Sequence, residues 1–218
     1  MTTRSIQALL TSALLLCTSI HSTAPLAGQT LVSIGGGASI SKMSFSGGGL
    51  TLTPDSRIGI TAGASVAMPL AGSVGLQIGG AYVQKGYSID QEFLGETFTA
   101  TAKINYFEIT VLAKPSFSLQ ETMGREASFH LLAGPALGIK AGCSFEAGDE
   151  AGECSGEGGV EPSSMDFGLQ AGLGFQLSRA RLDLTYTLGL SNAGDDAETT
   201  IKNRSLSIQA GVIIPVGG

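Results

Sequence analysis

Few side chains in this 218-residue chain could do chemistry, and the clearest are cysteines. Cys143 and Cys154 are two of three; the third, Cys17, lies in an N-terminal apolar run that reads as a removable targeting segment. The remaining even pair is expected to form a disulfide clasping its loop in an oxidising compartment. Lipidation is the competing use of Cys17, but Leu14-Leu15-Leu16 puts no small residue just before it. His130 is the only histidine outside that targeting segment, so neither a His-rich metal site nor several histidine-dependent active centres can be assembled. It reads as a structural or solvated histidine. The stretch Gly142–Ser163 carries Glu146, Asp149, Glu150, Glu153, Glu157 and Glu161 and no base. It could offer carboxylates to a divalent cation, yet it lacks the register of a calcium loop and reads as a solvated surface loop. Asp166-Phe167-Gly168 matches a kinase string without the glycine-rich loop, strand lysine or catalytic loop that would give it meaning. The triplets Gly35-Gly36-Gly37 and Gly47-Gly48-Gly49 lack the strand-to-helix setting of a phosphate loop. No catalytic residue, metal site or cofactor emerges.

Four charges embedded in weakly charged surroundings remain: Glu108, Lys114, Arg181 and Asp183. Six residues of extended chain separate Glu108 from Lys114, about 20 Å at ~3.3 Å per residue, so the two cannot pair directly. Each needs partners on other segments, with Arg181, Asp183 and Lys103 available, because a lone charge in a narrow interior is costly. The reading is a structural charge network rather than a proton relay.

The elements that must position these groups follow from the pattern of apolar residues. Arg4 and the apolar run Ile6–Ile20 have the form of a signal peptide, too short to span a bilayer as a helix. Cleavage is placed between residues 24 and 28, giving residues 1–28 as signal peptide and 29–218 as one domain. The chain is 43% hydrophobic with a net charge of −6, yet beyond the signal no apolar run approaches the ~20 residues of a membrane helix. An acidic chain without a basic cluster argues against a nucleic-acid partner.

Apolar residues instead recur at every second position in eight segments. Ile58, Ile60, Ala62, Ala64, Val66 and Met68 oppose Gly59, Thr61, Gly63 and Ser65. Phe167, Leu169, Leu173 and Phe175 oppose Asp166, Gly168, Gln170, Gly172 and Gly174, and Leu182, Leu184 and Tyr186 oppose Arg181, Asp183 and Thr185. The others centre on residues 32–40, 74–82, 97–115, 129–140 and 205–214. Most have the ~9–11 residues of a tilted membrane strand. Long connections at Phe45–Ser56, Ser88–Glu96, Gly142–Ser163 and Asn192–Asn203 alternate with shorter ones at Leu70–Ser73, Ser118–Glu126 and Ser178–Ala180. That is the rhythm of outer loops and periplasmic turns. The face opposite the apolar one is Gly, Ser, Thr and Gln with few charges, and the whole chain is only 14% charged. A soluble ligand-carrying barrel would present a charged face to water; small polar residues suit a narrow lumen. The expected fold is an all-β, eight-stranded antiparallel up-and-down transmembrane β-barrel, in the outer membrane of a Gram-negative-type bacterium and surrounded by its lipid.

Several strings resemble the PorT-like outer-membrane β-barrel family over nearly the whole mature chain. They are Ala81-Tyr82-Val83-Gln84-Lys85-Gly86, Tyr106-Phe107-Glu108-Ile109, Gly134-Pro135-Ala136-Leu137-Gly138, Asp183-Leu184-Thr185-Tyr186 and Lys202-Asn203-Arg204-Ser205-Leu206. Where such barrels usually end on an aromatic residue, this sequence has Ile214-Pro215-Val216-Gly217-Gly218. The resemblance implies a small envelope barrel, and through one member a link to protein secretion. The functional expectation is therefore a non-enzymatic barrel with a largely filled lumen and exposed loops. The alternative is an accessory component of a secretion or envelope complex with protein partners there; an outer-membrane hydrolase or acyltransferase stands behind both.

Overall fold

The computed structural model describes residues 29–47, 50–93, 96–122, 125–148, 150–154, 162–192 and 200–216. The signal-peptide expectation for residues 1–28 falls outside them. Eight long strands form the wall: β1 (Thr30–Gly47), β3 (Asp55–Ala71), β4 (Val74–Phe93), β5 (Glu96–Thr122), β6 (Arg125–Ala147), β8 (Met165–Leu177), β9 (Ala180–Gly189) and β10 (Thr200–Val216). Two short pieces, β2 (Leu50–Leu52) and β7 (Glu150–Glu153), fold back on the outer ends of β1 and β6. Each long strand pairs antiparallel with its neighbour in sequence, and β10 returns to β1 from Thr30↔Val216 to Ser46↔Thr200. The sheet is therefore a closed up-and-down barrel without free edges, the form a β-protein needs where lipid cannot hydrogen-bond the backbone.

Alternation decides which residues face where. Ile34, Ile58, Ile60, Phe107, Ile109, Phe167, Leu173 and Leu184 are exposed on the outer wall, whereas Ser39, Thr61, Tyr106, Glu108, His130 and Asp183 are buried inside. An apolar exterior around a polar interior inverts the soluble pattern and suits hydrocarbon surroundings.

Strand ends differ from the sequence expectation. Ser88–Glu96, expected as a long connection, is mostly ladder, with pairs running from Ser88↔Thr101 to Phe93↔Glu96. Ser118–Glu126, expected as a turn, holds Ser118↔Ser128, Leu119↔Ala127 and Thr122↔Arg125. Alternation of apolar and polar residues stops where the hydrocarbon stops, but a hairpin ladder needs only its backbone and continues into water. The wall is accordingly uneven, 27 residues in β5 against 10 in β9.

Two inner turns are two-residue hairpins, Ala71↔Val74 and Leu177↔Ala180. The first central residue has positive φ in each, 56° at Gly72 and 54° at Ser178. Glycine takes this conformation freely; serine there is strained.

The β3–β4 ladder is interrupted between Ser56/Tyr87 and Thr61/Val83. Side chains take over the stranded carbonyls: Ser39 Oγ donates to Gln84 O (2.7 Å), Ser41 Oγ to Gly86 O (3.0 Å) and Arg57 Nη1 to Lys85 O (3.3 Å). Buried backbone acceptors need partners, and serines on β1 reach across β3 to supply them.

Candidate functional site

The lumen is stacked in layers from the outer end inward. At the outer mouth Met43, Ile104, Tyr106 and Ile201 form a buried apolar cluster, with Phe45, Tyr87 and Cys143 packed against it. Phe45 and Tyr87 meet edge to face with centroids 5.1 Å apart, a favoured aromatic geometry. These residues sit on β1, β4, β5, β6 and β10, so the plug is held from much of the circumference.

Beneath it lies an ion cluster. Lys85 of β4, 2% exposed, places Nζ 2.9 Å from Glu108 Oε2 of β5 and 3.4 Å from Asp166 Oδ2 of β8. Asn203 of β10 donates from Nδ2 to the same Asp166 oxygen at 3.0 Å, and Ser191 donates from Oγ to Asp166 Oδ1 at 3.3 Å. The ammonium also stands 5.1 Å over the Tyr106 ring, a cation–π contact. One cation thus ties together walls that are not neighbours in the sheet.

A second cluster occupies the periplasmic half. His130 of β6 donates from Nε2 to Asp183 Oδ1 of β9 at 2.9 Å, and Arg181 approaches Asp183 Oδ2 at 3.2 Å. Arg181 also donates to Ser33 Oγ (2.5 Å) and Ser65 Oγ (3.1 Å), crossing from β9 to β1 and β3. Lys114 is buried nearby, within electrostatic range of both Asp183 and Arg181. Gly174 makes room for the pair, since a Cβ there would lie 2.2 Å from both Asp183 Oδ1 and His130 Nε2.

Between the clusters is a chamber of about 50 Å³, lined among others by Gln77, Glu108, Gln170, Arg181 and Asp183. Gln77 Oε1, Gln170 Oε1 and Arg181 Nε have no hydrogen-bond partner among the described residues. The chamber has room for a few water molecules that could meet such groups, and no more.

The four charges singled out in the sequence are thus all buried, but in two groups rather than one. Glu108 meets Lys85 instead of Arg181, Asp183 or Lys103, and Lys103 pairs with Glu146 at the outer end. Arg181 and Asp183 do pair, while Lys114 lies beside them. Sequence reasoning missed Lys85, Asp166 and Asn203 as members, and read His130 without its carboxylate. Parity would have found Lys85, which continues the inward series Gln77, Gly79, Ala81, Val83. The same parity puts Asp166 on the inner face of β8, but that it meets Lys85 follows from the stagger of strands around the barrel, which parity does not give.

Cys143 and Cys154 are bonded to each other at the outer end, with Cα atoms 5.4 Å apart, and Cys154 N donates to Cys143 O at 3.3 Å. The bond fastens the β6–β7 hairpin. Among the described residues no group of three or more His, Cys, Asp or Glu could hold a metal ion. Asp149, Glu157 and Glu161 of the acidic stretch lie outside them.

Residues 23–195 match the profile of a family described as the outer membrane protein beta-barrel domain, most of the chain. The chain belongs to the outer membrane β-barrel family. Its place is therefore the outer membrane of a Gram-negative-type bacterium, with lipid against the apolar wall. Nothing in the match singles out the PorT-like branch. A search of curated proteins finds no match. Solved barrels similar to this one include Ail, the attachment invasion locus protein of Yersinia pestis (16% identity, 86% of this chain, 99% of that one, TM-score 0.39). OprG of Pseudomonas aeruginosa is similar too (12% identity, 85% and 96% covered, TM-score 0.49), as is Neisserial surface protein A (16% identity, 84% and 96% covered, TM-score 0.41).

Proposed function

We propose that this barrel is a non-conducting, non-enzymatic outer-membrane protein that acts through its outer hairpins rather than through its lumen. A signal peptide ending between residues 24 and 28 would deliver it. One observation carries the reading: an apolar plug, two cross-braced ion clusters and a 50 Å³ chamber occupy the interior in series. Eight strands enclose little more than the volume of their own side chains, and here those side chains are joined across the bore. Among the described residues no hydroxyl hydrogen-bonds the His130 imidazole, which donates to Asp183, while Ser33 and Ser65 bond Arg181 and each other; this is not the arrangement of a hydrolase. A role as PorT-like accessory in a secretion or envelope complex rests on the sequence resemblance alone, and would show as envelope proteins recovered with the chain from crosslinked native membranes.

Efflux from vesicles tests the proposal. Liposomes carrying the refolded protein should retain glucose-sized solutes as long as protein-free liposomes do. Release within seconds at a few barrels per vesicle would make the lumen a pathway and overturn the reading.

A further inference from the structure

One cation of the lumen has no contact that answers its charge. Lys114 is 5% exposed and makes no hydrogen bond or ion pair among the described residues, which at this level include all eight strands of the wall. Its cross-strand partner on β4 is Gly75, which brings no side chain. The carboxylate within its electrostatic range, Asp183, has both oxygens engaged, Oδ1 by His130 and Oδ2 by Arg181.

Charge counting makes the deficit plain. Lys114 and Arg181 against Asp183 leave an excess of one positive charge in the inner half of the bore, and His130 can only add to it. Glu126 of β6 stands at the exposed periplasmic rim, four residues or about 13 Å of strand beyond His130. Glu108 is six residues along β5 from Lys114, and at about 20 Å it attracts with only about a fifth of the energy of a 4 Å contact. It is moreover engaged by Lys85. An unpaired buried charge is costly, and water can hydrogen-bond an ammonium without cancelling it.

The chamber beside this cluster offers what a counter-ion needs. Arg181 lines it, is 8% exposed, and its Nε–H is unmet among the described residues. Gln77, two residues along β4 from Gly75, also lines it with an unmet amide oxygen, and the amide can turn over to donate instead. The volume of about 50 Å³ admits one small ion with a water or two. An excess of one charge is matched by a monovalent ion; a divalent one would restore the imbalance with opposite sign.

We propose that the periplasmic floor of this chamber is a binding site for one small monovalent anion of the size of chloride, held by Lys114 Nζ, Arg181 Nε and the Gln77 amide. The ion neutralises the inner cluster and ties β4 and β5 to β9 across the bore. It enters from the periplasmic end and goes no further, because the outer cluster sets two carboxylates against one ammonium.

Urea unfolding of the full mature protein in phosphatidylcholine vesicles tests this, with sodium chloride exchanged for sodium gluconate at constant ionic strength. A ligand held only by the folded state multiplies the folded-to-unfolded ratio by 1 + [L]/Kd. For a Kd of ~30 mM or tighter, the ratio at fixed urea should rise about five- to tenfold between 30 and 300 mM chloride. Lys114→Arg should keep that rise, and Lys114→Met should reduce it to less than about twofold. The slope is the readout, so a variant that is merely less stable still reports. No chloride dependence in the wild type, or an undiminished one in Lys114→Met, would overturn the proposal. If Lys114→Met does not fold, wild-type crystals grown in bromide decide. An anomalous peak within hydrogen-bond range of Lys114 Nζ and Arg181 Nε supports the site, and water alone in that position overturns it.

Discussion

Removing Lys85 should be the most damaging single change in the lumen. The ammonium is 2% exposed and lies 2.9 Å and 3.4 Å from two carboxylates that are themselves buried. At an effective dielectric of ~20 each contact contributes on the order of 5 kcal/mol of attraction. Much of that is offset by desolvation of the three groups, yet deleting the shared cation leaves Glu108 and Asp166 buried together without a counter-charge. Breaking a buried pair from one side costs ~3–5 kcal/mol, whereas replacing all members by neutral groups of similar size can be nearly neutral. Lys85→Met should therefore destabilise the barrel by roughly 3–5 kcal/mol. The triple variant Lys85→Met/Glu108→Gln/Asp166→Asn should recover at least half of that loss. Equilibrium urea unfolding in lipid vesicles, followed by aromatic fluorescence, measures both. A Lys85→Met cost below about 1 kcal/mol would refute the reasoning, because exposed pairs behave that way. A triple variant no more stable than the single one would show that the loss comes from packing against Tyr106 rather than from stranded charge.

Four other outcomes are expected. Ser178→Gly should raise stability by about 0.5–1 kcal/mol in the same assay, since glycine relieves the positive φ at that turn. Gly174→Ala should cost more than about 2 kcal/mol, because its Cβ must displace either His130 or Asp183 from their hydrogen bond, leaving a buried polar group unmet. Reducing Cys143–Cys154 should lower stability by at most ~3 kcal/mol, the closure entropy of a short loop, and alkylation without prior reduction should label neither cysteine. In intact cells Thr51→Cys should react with an impermeant maleimide and Arg179→Cys should not, because β2 and the β8–β9 turn stand at opposite ends of the barrel.

What the sequence made legible was the wall. Alternation at Ile58–Met68 or Met165–Leu177 reports which side chains meet lipid, and that preference is imposed residue by residue, so no knowledge of the partner strand is needed. Strand ends were less legible, since the ladder through Ser88–Phe93 and Ser118–Thr122 is held by backbone hydrogen bonds that leave no mark on residue type. The lumen clusters were only half legible. That Glu108, Lys114, Arg181 and Asp183 face inward follows from parity, but which meets which depends on the stagger of strands around a closed barrel. Asp166 reaches Lys85 from the far wall, across a distance in sequence that no local pattern spans. Lys85 itself was within reach of parity three residues past the last apolar position of its segment.

Current through single barrels in a planar bilayer bears most directly on the plugged lumen. With the wild-type protein inserted at 1 M KCl, the layered interior should give a baseline indistinguishable from bare lipid. Stable, repeatable nanosiemens steps from the unmodified protein would contradict it, because no ion could pass while the Lys85 and Arg181 clusters span the bore.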